Sequence, residues 1–434
     1  MQSKRKKQRI QSEKIEYSFT SKRLTMFSGM APLYKFFDTI GLPDEFESHF
    51  KTPTSNALKF RNSQLMLAVV AASLCGVSRM SNIATFTSDI LVKSLLDLPA
   101  GINKDVISTR FKALGEAGAR RLEELNGRRL QRHFEKETFP RLTLDADSTV
   151  KTVFGRQQGA SVGYNPHKRG ARSYHPLMAF LTERKCVLNT WFRPGSAYTA
   201  NGIVEFLQQS AAWLPKATKI FFRADSGFFN GSLFDWLEPQ EWDYLVKVKF
   251  KGLKKLLAEQ HWQAVAGQPG FWMCEFSHQC KDWEKARLFK AVRWIDKYEE
   301  KVFFGKVELV PIYKYACYCT NQEIDAWAAH ECYKQRSTSE NWIEQVKNQL
   351  LAGMTLTNNF WANDMLWQLS VLAYNLSVMV RLKEASLHRQ EHSTFRDWFI
   401  RVPAEFYGSI KPKLRLYEYY LFKERWLSFT ESIK

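Results

Sequence analysis

Leu142-Thr143-Leu144-Asp145-Ala146-Asp147-Ser148-Thr149 is the stretch from which the fold is read. Leu142, Leu144 and Ala146 alternate with Thr143, Asp145, Asp147 and Thr149, and a two-residue period predicts a strand over 141–150. The alternation also sets two carboxylates on one face in mid-strand. A carboxylate there is costly unless something positive neutralises it, and a divalent cation is the natural partner. The plainer alternative is an exposed face of an edge strand.

Working outward, residues 24–135 carry apolar residues at helical spacing, through Leu65–Leu74 and again through Val106–Leu122. Asn103 is placed to cap a helix starting near Asp105. The run Gly101–Lys112 suits a turn and a recognition helix, a pattern that any short helical hairpin shares. Downstream, strands are predicted over Tyr174–Leu181, Cys186–Phe192, Lys219–Asp225 and Tyr244–Phe250, with helices over Ala200–Trp213 and Gly231–Leu237. Three strands, a helix, a strand, a helix and a strand imply a mixed sheet covered by helices. Residues 251–325 are rich in aromatic residues and read as a β-rich insertion, with strands over Lys301–Pro311 and Ile312–Thr320. Helices return over Ile324–Tyr333, Ser337–Leu351 and Asp364–Lys383. The expected organisation is a basic arm (1–23), a helical DNA-binding region (24–135), a catalytic core in two parts (136–250 and 326–390) around the insertion (251–325), and a basic C-terminal segment (391–434).

A second acid closes another predicted strand, in Ile220-Phe221-Phe222-Arg223-Ala224-Asp225-Ser226-Gly227. This puts a carboxylate at the carboxyl edge of a sheet, where sites in open α/β folds lie; the alternative is a cap on the next helix. A third group spans Tyr333, Arg336, Glu340, Glu344 and Lys347. Taken as one helix at about 100° per residue, Arg336, Glu340 and Lys347 fall at about 300°, 340° and 320° from Tyr333. Those four side chains share a narrow face with Glu344 beside it, while Ile343, Val346 and Leu350 form an adjoining face that can pack on the sheet. A stripe of acid, cations and a phenol suits phosphate and metal; a solvated face with ion pairs is the alternative. Two carboxylates from strands and one from a helix make an oxygen site for two Mg²⁺ ions, with Mn²⁺ expected to substitute. Paired metals of that kind activate water or a 3′-hydroxyl for in-line displacement at phosphorus.

The bulk numbers agree. The 434 residues suggest more than one domain, and 45% apolar residues can fill real cores. Lys and Arg number 63 against 44 acids, a net charge of +19. Such a surplus fits a polyanion partner, nucleic acid above all, with a ribosome-associated or simply basic protein as the alternative. Residues 1–23 hold Lys4, Arg5, Lys6, Lys7, Arg9, Lys14, Lys22 and Arg23 against Glu13 and Glu16. Seven scattered cysteines suggest no disulfide framework and hence a reducing cytoplasm. The longest apolar run, Leu65–Cys75, is too short to span a bilayer, so no membrane is expected.

At these residues the chain resembles the insertion-sequence transposases that act through an Asp–Asp–Glu triad. Tyr333, Arg336, Glu340 and Lys347 meet their tyrosine–arginine–glutamate–lysine signature at all four positions. It is most similar to the insertion-sequence-1380 family, through Leu144–Thr149, Gly163–Pro166, Ser173–Leu177, Arg193–Gly195 and Arg223–Phe228. The likeness covers roughly residues 140–380. It implies an α/β, ribonuclease-H-like mixed sheet flanked by helices, with a β-rich insertion and a helical N-terminal region. It implies a bacterial, nucleoid-associated enzyme of cut-and-paste transposition. Such an enzyme binds terminal inverted repeats, cleaves the element ends and joins them to target DNA, as a homodimer on the DNA. Asp147, Asp225 and Glu340 would be its catalytic metal ligands. Asp147 is favoured over Asp145, the alternative first ligand, because the family's first acid is followed by a small residue and then Ser or Thr. Tyr333, Arg336 and Lys347 would hold DNA phosphates.

Between Ser148 and Thr182 there is no acid, while Lys168, Arg169 and Arg172 stand among glycines. Beside a metal site this reads as a basic loop lying along DNA. Cys317, Cys319, His330 and Cys332, or Cys274, His278 and Cys280, lack the tight paired spacing of known zinc sites, and buried cysteines in strands fit better. Trp262, Trp272, Trp283 and Trp294 are expected in the core. Two competing functions use the same fold: a domesticated DNA-binding protein without catalysis, and a different nuclease.

Overall fold

The computed structural model describes residues 12–54, 58–166, 168–217, 219–304, 306–408 and 410–433, so residues 1–11 of the expected basic arm lie outside the described residues. The chain opens with β1 (Leu24–Thr25) and a run of helices. These are α1 (Met30–Thr39), α2 (Leu42–His49), α3 (Asn62–Leu74), α4 (Ile83–Thr87), α5 (Ile90–Leu95) and α6 (Lys104–His133). α3 is apolar on every side and every residue in it is buried, as a helix inside a core must be. Asn103 caps α6 by accepting the Asp105 N–H. Gly115 interrupts α6 at φ 54°, ψ −146°, backbone that a residue with a Cβ rarely adopts.

The sheet-forming part follows: β2 (Leu142–Ser148), then a small sheet of β3 (Lys151–Thr152), β4 (Ser161–Val162) and β5 (Arg172–Tyr174). Next come β6 (Leu177–Leu181), β7 (Cys186–Trp191), α7 (Ile203–Ala211), β8 (Ile220–Ala224), α8 (Gly231–Leu237) and β9 (Asp243–Lys247). β2 pairs in parallel with β8, and β8 with β9. On its other side β2 pairs antiparallel with β6, and β6 with β7. The order β7-β6-β2-β8-β9 with those directions is the strand plan of a ribonuclease-H-like core. β2 is central and covered on both faces, so Thr143 and Asp145 are buried as well as the apolar set.

After α9 (Leu253–Ala258) come β10 (Gln263–Ala264), β11 (Phe271–His278), β12 (Arg287–Phe303) and β13 (Lys306–Thr320). The sequence reads this stretch as an inserted module, whereas its strands continue the main sheet. β13 pairs with β9 at Tyr318–Thr320, giving nine strands among the described residues. β12 and β13 form one long hairpin, and the break expected at Pro311 does not occur. Pro311 pairs with Tyr298 on one side only, because β9 reaches no further along β13 than Tyr318. Its missing N–H therefore faces an unpaired edge, where proline is tolerated. The four tryptophans expected in the core are only half-buried; Trp262 and Trp272 flank the Arg293 guanidinium, 4.7 and 5.5 Å from it.

The chain then runs through α10 (Ala326–Lys334), α11 (Ser337–Glu344), α12 (Phe360–Leu382) and α13 (His392–Phe395). It finishes with β14 (Ala404–Tyr407), β15 (Lys413–Leu416) and α14 (Lys423–Ser432). α12 is long and apolar enough to cross a membrane, but it is sheathed by protein on nearly all sides. It is the axle of the molecule. Asn375 on α12 bonds both backbone groups of Val187 on β7, and the Asn126 amide on α6 reaches the Gln368 carbonyl. Gly127 on α6 lies flat on the Trp213 ring, where an added Cβ would stand 2.1 Å from it. One continuous buried cluster thus joins the N-terminal helices to the sheet. β1 in turn pairs with β14.

Candidate active site

β8 ends at Ala224, so Asp225 stands just past the carboxyl edge of the sheet, beside the end of β2. Its carboxylate accepts the Gly227 N–H at 2.9 Å and so fixes the turn that follows. Asp147 is the sixth residue of β2 and leans into the same edge. Glu340 lies in the first turn of α11. Asp147, Asp225 and Glu340 all line one open cavity of about 570 Å³, together with Tyr333 and Arg336.

The arginines separate the two aspartates of β2. The register sets Asp145 directly opposite Arg223 on β8. Arg223 grips Asp145 with Nε and Nη2 at 2.7 and 2.8 Å, and Thr182 Oγ1 donates at 2.7 Å. Asp145 is fully buried and does not line the cavity. Asp147 instead meets Arg336, whose Nη2 is 2.9 Å from Oδ2 and also donates to the Ala146 carbonyl at 3.1 Å. Burial pushes the Asp147 carboxyl up to about 6, against the pull of Arg336; the charges of Asp225 and Glu340 push the same way as burial. Tyr333 is raised to about 12, first by burial and then, against Arg336, by the same three acids. Burial works against the Arg336 charge, but Asp147, ahead of Tyr333 and Asp225, holds the guanidinium above its ordinary value.

Tyr333–Lys347, taken above as one helix for its geometry, is interrupted twice, first at the gap expected between the helices ending at Tyr333 and starting at Ser337 and again beyond Glu344. Tyr333 belongs to α10, and α11 starts anew at Ser337. The reason is local: the hydroxyls of Ser337, Thr338 and Ser339 donate to the carbonyls of Lys334, Gln335 and Arg336. Such short-range bonds compete with the helical ladder. Beyond Glu344 the backbone widens into a π-helical turn, Gln345–Gln349. Lys347 lies in that turn and donates to the Val150 carbonyl at 2.8 Å, off the cavity wall. Lys168, Arg169 and Arg172 are exposed on the loop around the small sheet and are not cavity residues either. Lys168 sits 4.8 Å from the Phe154 ring, and Arg172 donates to the Ala160 carbonyl at 3.0 Å.

Sequence reasoning missed Lys247, Tyr318, His330 and Lys334 on the cavity wall, and misassigned Trp294, which also lines it. It missed Arg223 too, although an arginine inside the apolar run of β8 was a visible signal. Cys274, Cys317 and Cys319 are buried in strands, as expected.

The donor set suits a hard divalent cation, since all three acids offer oxygen and their mutual repulsion calls for positive charge. Among the described residues no three acids, histidines or cysteines stand close enough to hold one ion together as they are. The carboxylates share a cavity and a field, and Arg336 supplies the countercharge at Asp147. A cation would compete with that guanidinium for Asp147.

The family described as transposase DDE domain, group 1, matches residues 7–433. No curated protein matches the chain in sequence. Among solved structures, a piggyBac transposase synaptic complex with hairpin DNA is similar at 14% identity, over 87% of this chain and 81% of that one, with a TM-score of 0.49. A Mos1 transposase paired-end complex with the left transposon end is 12% identical over 48% and 73%, with a TM-score of 0.19. A Mos1 mariner paired-end complex with Mn is 11% identical over 48% and 65%, at 0.18.

Proposed function

Because the chain belongs to the DDE transposase family, group 1, we propose that it binds the terminal inverted repeats of a bacterial insertion sequence, cleaves the element ends and joins them to target DNA. The insertion-sequence-1380 group is the subfamily its signature residues resemble. The observation that carries the reading is the meeting of Asp147, Asp225 and Glu340 on one cavity with arginine and lysine around it. Asp147 and Asp225 are on rigid strand ends and Glu340 is on a helix, so the oxygens are held by the scaffold rather than by a loose loop. Two bound Mg²⁺ ions would supply Lewis-acid activation of the attacking oxygen and stabilise the leaving oxygen. Arg336, now against Asp147, is the cation placed to pair with a DNA phosphate where metal would hold that carboxylate instead. Lys247, 5.9 Å from the Tyr333 ring, and Lys334 present further charge to the DNA backbone. The surplus of +19 steers the duplex there. Two ends must be handled together, so a homodimer on DNA goes with this reading.

The test is incubation of a duplex carrying candidate element ends with Mg²⁺, with products mapped to the nucleotide. Cuts at the element boundary are expected, and Glu340→Gln should remove them while end binding stays within about twofold of the parent. Cleavage by Glu340→Gln at the parental rate would overturn the assignment.

A further inference from the structure

α11 has a second side. Ser337 and Glu340 face the carboxylate cavity, while Thr338 and Asn341 line another, of about 410 Å³, behind the helix. Three cations line this rear cavity: Lys185 from the β6–β7 turn, Arg381 from α12 and Arg389 from the loop after it. Arg381 is buried and spends Nε and Nη1 on the carbonyls of Ser377 and Gln390. Lys185 Nζ reaches the His388 carbonyl, at 3.2 Å, and no other acceptor among the described residues. Among the described residues none of the three has a carboxylate partner. Four other buried arginines do: Arg129 has Glu45, Arg223 has Asp145, Arg287 has Asp235 and Glu238, and Arg336 has Asp147; Arg193 is the exception, spent on four backbone carbonyls. The acid on the lining, Glu391, accepts from Gln349 at 3.0 Å. Burial, then Arg381 and Arg389, pull Lys185 below its ordinary value. Glu391 offsets part of the Arg381 charge, but three cations against one acid leave the cavity net positive, which an entering anion would answer.

We propose that the rear cavity seats a backbone phosphate of DNA, held by Lys185, Arg381 and Arg389 against the back of the helix that carries Glu340. The site rests on the transposase reading above but uses none of its metal-binding residues. A phosphodiester fits for two reasons. Lys185 and Arg389 are exposed at the mouth, where a bulky strand can reach them, and Arg381, with Nε and Nη1 held by carbonyls, is fixed in place to offer Nη2 to a phosphate oxygen. DNA seated there braces α11 from behind, so loading of the duplex and placement of Glu340 become one event.

The test measures affinity for a short duplex against salt. Lys185→Asn with Arg389→Ala removes both rim charges; asparagine tolerates the left-handed backbone of Lys185, φ 57°. Arg381 is left intact because its burial makes it a folding risk. The slope of log affinity against log salt should fall by about one in the double variant, the share of a single phosphate, with an unchanged melting temperature. A control pair on the β12–β13 hairpin, Lys301→Gln with Lys306→Gln, should leave the slope alone. A double-variant slope equal to the parent's, or to the control's, overturns the proposal. So does stabilisation of the parent alone by inorganic phosphate at matched ionic strength with no change in DNA slope, which would assign the cavity to a free anion. Absence of cleavage by the parent, with the slope change intact, would count against the function proposed above and leave this site standing.

Discussion

Asp145 and Asp147 sit two residues apart on β2 and each meets an arginine, yet the two layers of the strand differ in everything else. In the inner layer Asp145 and Arg223, both buried, close on each other, and Thr182 adds a third bond to the carboxylate. In the outer layer Asp147 and Arg336 look onto a cavity that two more acids share. A closed pair satisfies its charges and fixes β2 against β8. An open pair leaves charge to be answered from outside. The same side-chain chemistry thus serves as a brace at one height and as a receptor at the next, and the height is set by where β8 stops.

Substitutions can pull the layers apart. The largest effect is expected from Asp225→Asn: cleavage should fall about a thousandfold or more, about 4 kcal/mol of barrier. Stability in denaturant should stay within about 0.5 kcal/mol, since asparagine still caps the Gly227 turn. Unfolding at lower denaturant would instead put Asp225 in the brace. Asp145→Ala should do the opposite, costing about 3–5 kcal/mol of folding free energy by stranding the Arg223 charge. A loss below about 1 kcal/mol would mean that the inner layer braces nothing. Mg²⁺ at about a hundred times its dissociation constant should stabilise the parent by about 2.7 kcal/mol, read as a higher melting temperature. Asp225→Asn and Glu340→Gln should lose most of that rise while Lys347→Ala keeps it; equal rises in all would place the ion elsewhere.

The last test leaves function untouched at neutral pH and probes the dry interior beyond β2. His392 is fully buried, between Ser377 Oγ at 2.8 Å and the Leu74 carbonyl at 3.2 Å. Burial first, then Arg381 and Arg396, bring its pKa down to about 3. The unfolded chain takes the proton near pH 6.5 and the folded one resists it, so this stability is complete above about 6.5 and drains away as pH falls toward 3. The loss runs at up to about 1.4 kcal/mol per pH unit. His392→Gln should flatten that part of the acid limb in a denaturation series; an unaltered limb would show that the histidine charges in place.

What the residues disclose without a structure follows how local the cause is. The alternation of Leu142, Leu144 and Ala146 marked β2, and α8 spans Gly231–Leu237 as read, because strand period and helix ends are short-range properties. The roles of Asp145 and Asp147 could not be ranked from β2 alone. They depend on a parallel register that brings Arg223, 78 residues away, opposite Asp145. The gap between Tyr333 and Ser337 was legible, but the hydroxyl bonds of Ser337, Thr338 and Ser339 that go with it, and the π-helical turn Gln345–Gln349, leave no mark on an averaged periodicity. The segment from Arg401 onward gave no reading, since the partner of β14 is β1, near the other end of the chain.

That last pairing, with α12 as the hub for α3 and α6, governs how the polypeptide comes off the ribosome. The first third of the chain emerges with its apolar helices exposed and waits for Phe360–Leu382 to be translated before it can bury them. Chaperone capture should be heaviest in that interval, and a message truncated before codon 360 should yield insoluble product rather than a free-standing end-reading fragment. Synthesis and competence would thereby be tied together, because the N-terminal helices bury their apolar faces only once Phe360–Leu382 has been made.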